Sequence, residues 1–306
     1  VKKLRIVFMG TPDFAVASLD AILRSRHDVL GVVTVADKPA GRGLQLHQSP
    51  VKQFALQHNI PCLQPLKLRD PEFIKNLESL NADIFVVVAF RMLPEMVWSM
   101  PPLGSINLHG SLLPKYRGAA PINWAVMQGE KETGVTTFFL QHEIDTGQVI
   151  RRTIIRIGEN ETAGELHDRM MVIGAQTLVD SLNDIADGKI AIVDQQQLIE
   201  SGEELLHAPK IFKEDCCINW SRNTGEVHNF IRGLSPYPTA WTMLGDKTLK
   251  IFNGAMSLEK VNGEFETDGK TYLRFRTADG SYETTDLQLE GKKRMGIEEF
   301  LRGWRP

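Results

Sequence analysis

Leu4-Arg5-Ile6-Val7-Phe8-Met9-Gly10-Thr11-Pro12-Asp13 is the stretch on which the fold class turns. Residues 4–9 are apolar except for Arg5 and read as a buried strand. Thr11-Pro12-Asp13 then opens a helix carrying Phe14, Ala15, Ala17, Leu19, Ile22 and Leu23, and residues 29–35 form a second apolar strand. This strand–helix–strand rhythm predicts a parallel sheet covered by helices, an α/β fold. Gly10 stands where a nucleotide-binding turn would begin, but Gly10-Thr11-Pro12-Asp13-Phe14-Ala15 lacks the further glycines of that fingerprint and reads as a plain turn. Further along, Ile84-Phe85-Val86-Val87-Val88-Ala89 is apolar at every position, as a central strand buried on both faces must be.

Bulk properties narrow the function. The chain has 306 residues, 42% of them hydrophobic and 24% charged, which suits a globular protein of one large or two ordinary domains. A net charge of -3 leaves no global field to attract a polyanion, so such a partner has to be held by a local basic patch. Three cysteines, Cys62 and the adjacent Cys216-Cys217, form neither a disulfide framework nor a metal pattern, and a reducing cytoplasm is expected. The apolar run near the start ends at Gly10-Thr11-Pro12, too short for a signal core, and no stretch is long enough to span a bilayer. Neither a signal peptide nor a membrane partner is expected.

Ser49-Pro50 and Asp70-Pro71 each read as an N-cap followed by proline at the first helical position. Before the first of these lies Ala36-Asp37-Lys38-Pro39-Ala40-Gly41-Arg42-Gly43-Leu44-Gln45-Leu46-His47-Gln48, a long basic loop. It reads either as a solvated surface loop or as an arm that grips a polyanion through Lys38, Arg42 and Lys52.

The chemistry concentrates in Ser105-Ile106-Asn107-Leu108-His109-Gly110-Ser111-Leu112-Leu113-Pro114-Lys115-Tyr116-Arg117-Gly118-Ala119-Ala120-Pro121. It begins as a strand, so Asn107 and His109 share one face while Ile106 and Leu108 share the other. An amide beside an imidazole at a strand end suits carbonyl chemistry: the amide holds a developing oxyanion and the imidazole moves a proton. In an open parallel sheet ligands bind beyond the carboxyl ends of strands, so this segment and Phe90-Arg91-Met92-Leu93-Pro94 are expected to wall one cleft. Asp145-Thr146-Gly147 reads either as an Asx turn or as the source of a carboxylate that orients His109. His142, Glu143 and Asp145 have no accompanying cluster, and no metal site is expected. Residues 162–186 read as a long covering helix. Beyond 197 come a linker, a short helix over 224–232, and short strands over 240–244, 248–252, 271–276 and 283–289, a pattern of a small antiparallel barrel or sandwich.

Asn107-x-His109-x-Ser111-Leu112-Leu113-Pro114, then Gly118-x-x-Pro121 and Asp145-Thr146-Gly147, resembles the formyltransferase family that uses 10-formyltetrahydrofolate. The resemblance runs over essentially the whole chain. It implies a doubly wound, mostly parallel catalytic domain over 1–197, a linker over 198–209 and an OB-like, tRNA-binding domain over 210–306. It implies Asn107, His109 and Asp145 as the catalytic set. It also implies folate contacts from Phe90, Arg91, Met92 and Leu93 and from Ser111, Leu112, Leu113 and Pro114. Residues 37–43 resemble the acceptor loop of those members that formylate methionine on initiator tRNA, which makes Lys38 and Arg42 the expected tRNA contacts. The implied partners are initiator methionyl-tRNA and the folate donor, on a monomer without metal. A family member acting on an amino-sugar nucleotide is the alternative; it would share the three catalytic residues but have no need of the basic arm.

Overall fold

The structure is a computed structural model and describes residues 2–40, 45–199, 202 and 204–304. They form two compact units that interleave along the chain. The first is Val1–Gly118, Gly134–Ile155 and Asp168–His207; the second is Ala119–Thr133, Arg156–His167 and Ala208–Pro306.

The first unit is built on a seven-stranded sheet. Its order is Val149–Arg156, Glu132–Phe139, Ser105–His109, Ile84–Val88, Arg5–Gly10, Asp28–Val33, Cys62–Leu63. The five strands from Ser105–His109 to Cys62–Leu63 pair in parallel, and Glu132–Phe139 joins antiparallel. This is the mostly parallel α/β sheet read from the strand–helix–strand rhythm of residues 4–35. All five residues of Ile84–Val88 are buried, as its unbroken apolar run requires. Ser49 and Asp70 cap their helices through side-chain oxygens that accept backbone N–H groups, Lys52 for the first and Glu72 and Phe73 for the second.

Gly10 ends the first strand where the backbone must pass closely. A Cβ there would sit 2.6 Å from the Ala15 methyl and 2.9 Å from the Val88 carbonyl oxygen. The residue is small because the following helix and the neighbouring strand press on it.

Because the five strands run parallel, Asp28–Val33, Ile84–Val88 and Ser105–His109 present their carboxyl ends at one edge of the sheet. Val88 pairs with Leu108, so the segments after 88 and after 109 leave the edge side by side. The 36–48 stretch leaves the same edge. It carries more structure than its loop-like composition suggests: Lys38–Ala40 pairs antiparallel with Gln45–His47 in a two-stranded ribbon. Arg42, expected on this arm, lies outside the described residues.

The second unit is an antiparallel half-barrel sheet. Its order is Ala240–Leu244, Lys247–Ser257, Ser281–Leu289, Leu273–Arg276, Phe265–Thr267, with Met295–Gly296 also pairing Ser281–Leu289. Lys247–Ser257 outruns the strand read over 248–252. The register shifts around Asn253, and Gly254 lets the strand continue over the Tyr282 ring, 2.5 Å from where a Cβ would stand. Thr224–Leu234 starts with a reciprocal capping box between Asn223 and Glu226 and buries Val227, Ile231 and Leu234 among Leu249, Phe275 and Leu287. Within the same unit Pro121–Met127 lies against it. A Cβ on Gly233 would meet Met127 at 2.4 Å, and Asn123 Nδ2 donates to the Gly233 carbonyl at 2.8 Å.

Candidate active site

Ser105–His109 places the site. Asn107 is opposite Val87 on one side and Phe138 on the other, and His109 is opposite Thr136, the last pairing of the strand. Asn107 is half-buried and, among the described residues, its carboxamide has no hydrogen-bond partner. An amide in that state, on a strand between two buried apolar residues, has its donors free for a ligand.

His109 is buried and held from both sides. Its Nε2 lies 2.9 Å from the Tyr116 carbonyl oxygen. A carbonyl only accepts, so Nε2 carries the proton, and Nδ1 is the atom left to gain or lose one. Nδ1 lies 3.8 Å from Asp145 Oδ2, an ion-pair separation longer than a hydrogen bond. The Phe138 ring stands edge-on to the imidazole, 6.5 Å between centroids.

Asp145 is not a plain turn former. Its carboxylate is directed inward, 11% exposed, and Oδ2 accepts the Gly118 N–H at 2.9 Å. Its own backbone is left-handed, φ 56°, a region that costs a non-glycine residue free energy and persists where surrounding contacts enforce it. Gly147 follows because a Cβ there would fall 1.6 Å from the Phe139 carbonyl oxygen. Asn107, His109 and Asp145 thus come together at the carboxyl end of one strand, 38 positions after the first of them in the case of the carboxylate.

The loop from 110 to 118 is tied internally. Ser111 Oγ donates to the Lys115 carbonyl at 2.6 Å, Thr136 Oγ1 donates to the Ser111 carbonyl at 2.7 Å, and the Leu113 N–H donates to Thr136 Oγ1 at 3.0 Å. The Leu113–Pro114 peptide is cis and Tyr116 is left-handed at φ 58°. Of the four residues expected here as folate contacts, Ser111 and Leu113 have no exposed surface, Pro114 is buried and Leu112 is half-buried. Their side chains build the loop, and what this segment offers a ligand is its backbone and Leu112.

On the neighbouring strand end, Leu93 is also buried, Phe90 is half-buried, and Arg91 and Met92 are exposed. Arg91 donates to the carbonyls of Leu66 and Pro65 and lies over the Phe90 ring at 5.6 Å. Phe90, Arg91 and Met92 thus form a half-apolar rim beside the His109 strand.

The arm carries a correction. Lys52, read as one of its gripping cations, instead pairs with Asp37, Nζ to Oδ2 at 2.5 Å, and is only 16% exposed. Gln64 Nε2 donates to the other Asp37 oxygen at 2.8 Å and to the Val35 carbonyl at 2.9 Å. The hydrogen bond from Lys52, then that from Gln64, holds the Asp37 carboxyl below the usual carboxylate range. Lys38, by contrast, is exposed on the ribbon.

His142 pairs with Glu95, Nε2 to Oε1 at 3.3 Å, and stands edge-on to Trp98. Among the described residues no group of three or more His, Cys, Asp or Glu is placed to hold a metal ion. No helix among them is long and apolar enough to cross a membrane.

Sequence reasoning missed Gln195. It is 1% exposed, and its Nε2 donates to the carbonyls of Asp145 and Gly147, both at 2.8 Å. The signal available was slight: Asp194 caps a short 3-10 turn, which sets Gln195 at its first position.

Residues 4–182 match the formyl transferase family and residues 210–305 match its C-terminal domain. A methionyl-tRNA formyltransferase of Azobacteroides pseudotrichonymphae genomovar. CFP2 is 52% identical, covering 98% of this chain and 96% of that protein. Another, of Bacteroides fragilis, is 51% identical over 98% of this chain and 95% of its own length. Among solved structures, an N-formyltransferase from Helicobacter canadensis in complex with folinic acid and dTDP-3-aminofucose superposes with a TM-score of 0.64 at 20% identity, covering 95% of this chain and all of that one.

Proposed function

The chain belongs to the formyl transferase family, and from that premise we propose that it moves the formyl group of 10-formyltetrahydrofolate onto the α-amine of methionine carried by initiator tRNA. The reaction readies the aminoacyl-tRNA for translation initiation, which is cytoplasmic work. The observation that carries this reading is identity above 50% along nearly the whole chain to relatives named for that activity, joined to the grouping of Asn107, His109 and Asp145.

Each residue has a task in the proposed mechanism. The neutral amine attacks the formyl carbon directly and negative charge gathers on the formyl oxygen. The unpartnered Asn107 carboxamide donates to that oxygen; one such donor is worth about 2.7–4 kcal/mol of barrier. His109 does not share this duty, because its Nε2 is committed to the Tyr116 carbonyl. It acts as proton acceptor at Nδ1, reaching the amine through one water, a contribution of about 10²–10⁴-fold. Asp145 faces Nδ1 and balances the imidazolium as it forms. As the bond from carbon to the folate nitrogen breaks, the His109 imidazolium returns that proton, through water, to the departing nitrogen, which leaves neutral and restores the imidazole. The folate lies along the rim at 90–93 and the backbone of 110–114. The donor is already an activated amide, so the scheme calls on no metal.

The tRNA is held by phosphate contacts from Lys38 and Arg42 on the arm, with the second unit supplying further surface. The amino-sugar alternative has the Helicobacter canadensis protein on its side, but at 20% identity that likeness concerns the fold alone. Incubation with formyl-labelled 10-formyltetrahydrofolate and either methionyl-tRNA or a 4-amino sugar nucleotide separates the two. Label in the tRNA fraction is the expected result; label in the sugar nucleotide alone would replace this reading with the other.

A further inference from the structure

Gln195 comes from a stretch of sequence about 50 residues beyond Asp145, yet its carboxamide sits behind the site with every hydrogen-bonding position filled. Two N–H bonds go to the carbonyls of Asp145 and Gly147. The oxygen accepts Arg117 Nη2 at 2.7 Å and Nε at 3.1 Å. A carboxamide has two donors and one oxygen with two lone pairs, so none is left over. The alternative orientation of the amide would set N–H groups against Arg117 and oxygen against carbonyls, so this one is enforced.

The two loops joined in this way are the two that hold the proton-transfer pair. Arg117 stands between Tyr116, whose carbonyl fixes His109 Nε2, and Gly118, whose N–H holds Asp145 Oδ2. Asp145 and Gly147 bracket the left-handed turn that aims the carboxylate. Burial at 1% exposure keeps water from competing for these bonds.

On the reading that His109 and Asp145 act as a pair, we propose that Gln195 is a positioning residue that sets their separation by clamping the Arg117 loop to the Asp145 turn. It touches no substrate. Its effect passes through Asp145, and this separates it from a residue that merely stabilises the fold.

The test is a double-mutant cycle on the full chain with Gln195→Met, which keeps length and volume and removes all four bonds, and Asp145→Asn. Gln195→Met alone should lower kcat on the order of 10²-fold, the usual cost of displacing a catalytic group by about 1 Å, with KM for 10-formyltetrahydrofolate unchanged. In the Asp145→Asn background the same change should cost less than about twofold, because the group it positions is already disabled. Activities are normalised to the folded fraction measured by circular dichroism. Equal losses in both backgrounds, or a normalised kcat that stays at the wild-type value, would overturn the proposal and leave the pair itself standing. Wild-type turnover by Asp145→Asn would overturn both.

Discussion

Two loops leave the same edge of the first sheet and are built in opposite ways. The one after His109 is cross-tied throughout: Ser111 to Lys115, Thr136 to both Ser111 and Leu113, Gly118 to Asp145, Arg117 through Gln195 to the Asp145 turn. The one after Val33 is secured at its root by Asp37, Lys52 and Gln64 and by a three-residue ribbon. Chemistry on a formyl carbon needs donors and a base fixed to a fraction of an ångström. Holding a polyanion by its phosphates needs charge within reach, and long range forgives position. The contrast teaches that the fold concentrates its buried hydrogen bonds around His109 and Asp145 and leaves Lys38 exposed on the ribbon.

That contrast can be broken at the cross-tied loop first. Replacing Asp145 with Asn removes the charge facing Nδ1 and is expected to lower kcat by about 10²–10⁴-fold while folate binding persists; steady-state kinetics beside a folate titration would check it. Asn107→Ala is expected to cost about 2.7–4 kcal/mol of barrier, again in kcat. If either change appeared in KM alone, the loop would be a binding element and the distinction would fall.

Changes on the arm should appear in KM for methionyl-tRNA and spare kcat. Arg42→Ala is expected to weaken tRNA binding and to reduce the slope of log K against log salt by about 1, as the loss of one phosphate contact does. Lys52→Met should do less. It frees Asp37 from its main partner, so KM for tRNA rises through a loosened root while the folate constants hold, and assays at two salt concentrations would show the salt slope unchanged.

The smallest expected effect concerns pH and the frame beneath both loops. His27 accepts the Leu4 N–H at Nδ1, 3.2 Å, and burial, followed by the nearby Arg26 charge, pushes its pKa below the ordinary 6.5; Asn183, Asp187 and Asp28 oppose this weakly. Between the lowered value and 6.5 the unfolded chain binds a proton that the fold refuses. Stability is therefore full above pH 6.5 and declines as pH falls through that window. Thermal melts should show a lower midpoint at pH 5.5 than at pH 7.5, with a smaller difference in His27→Gln.

Much of the frame was legible because it is local. The apolar run of Ile84–Val88, the caps at Ser49 and Asp70, and the shared face of Asn107 and His109 all follow from periodicity and short-range geometry. Asp145 could be named only as one of two readings, since a turn and a buried carboxylate share the same three residues. What escaped is set by distance in sequence. Gln195 sits in the run Gln195-Gln196-Gln197, where composition gives no means of telling the buried amide from its exposed neighbours. Lys52 reads as a free cation until folding brings Asp37 to it. That 119–133 and 156–167 belong with the second unit is equally invisible to a linear reading that divides the chain near 198–209.

The imidazole of His109 is the group that takes the amine proton, and single-turnover formyl transfer by His109→Ala, with donor saturating and methionyl-tRNA limiting, tests this most directly. The expected rate is on the order of 10²–10⁴-fold below that of the native chain, with folate affinity unchanged. Transfer at the native rate would contradict it.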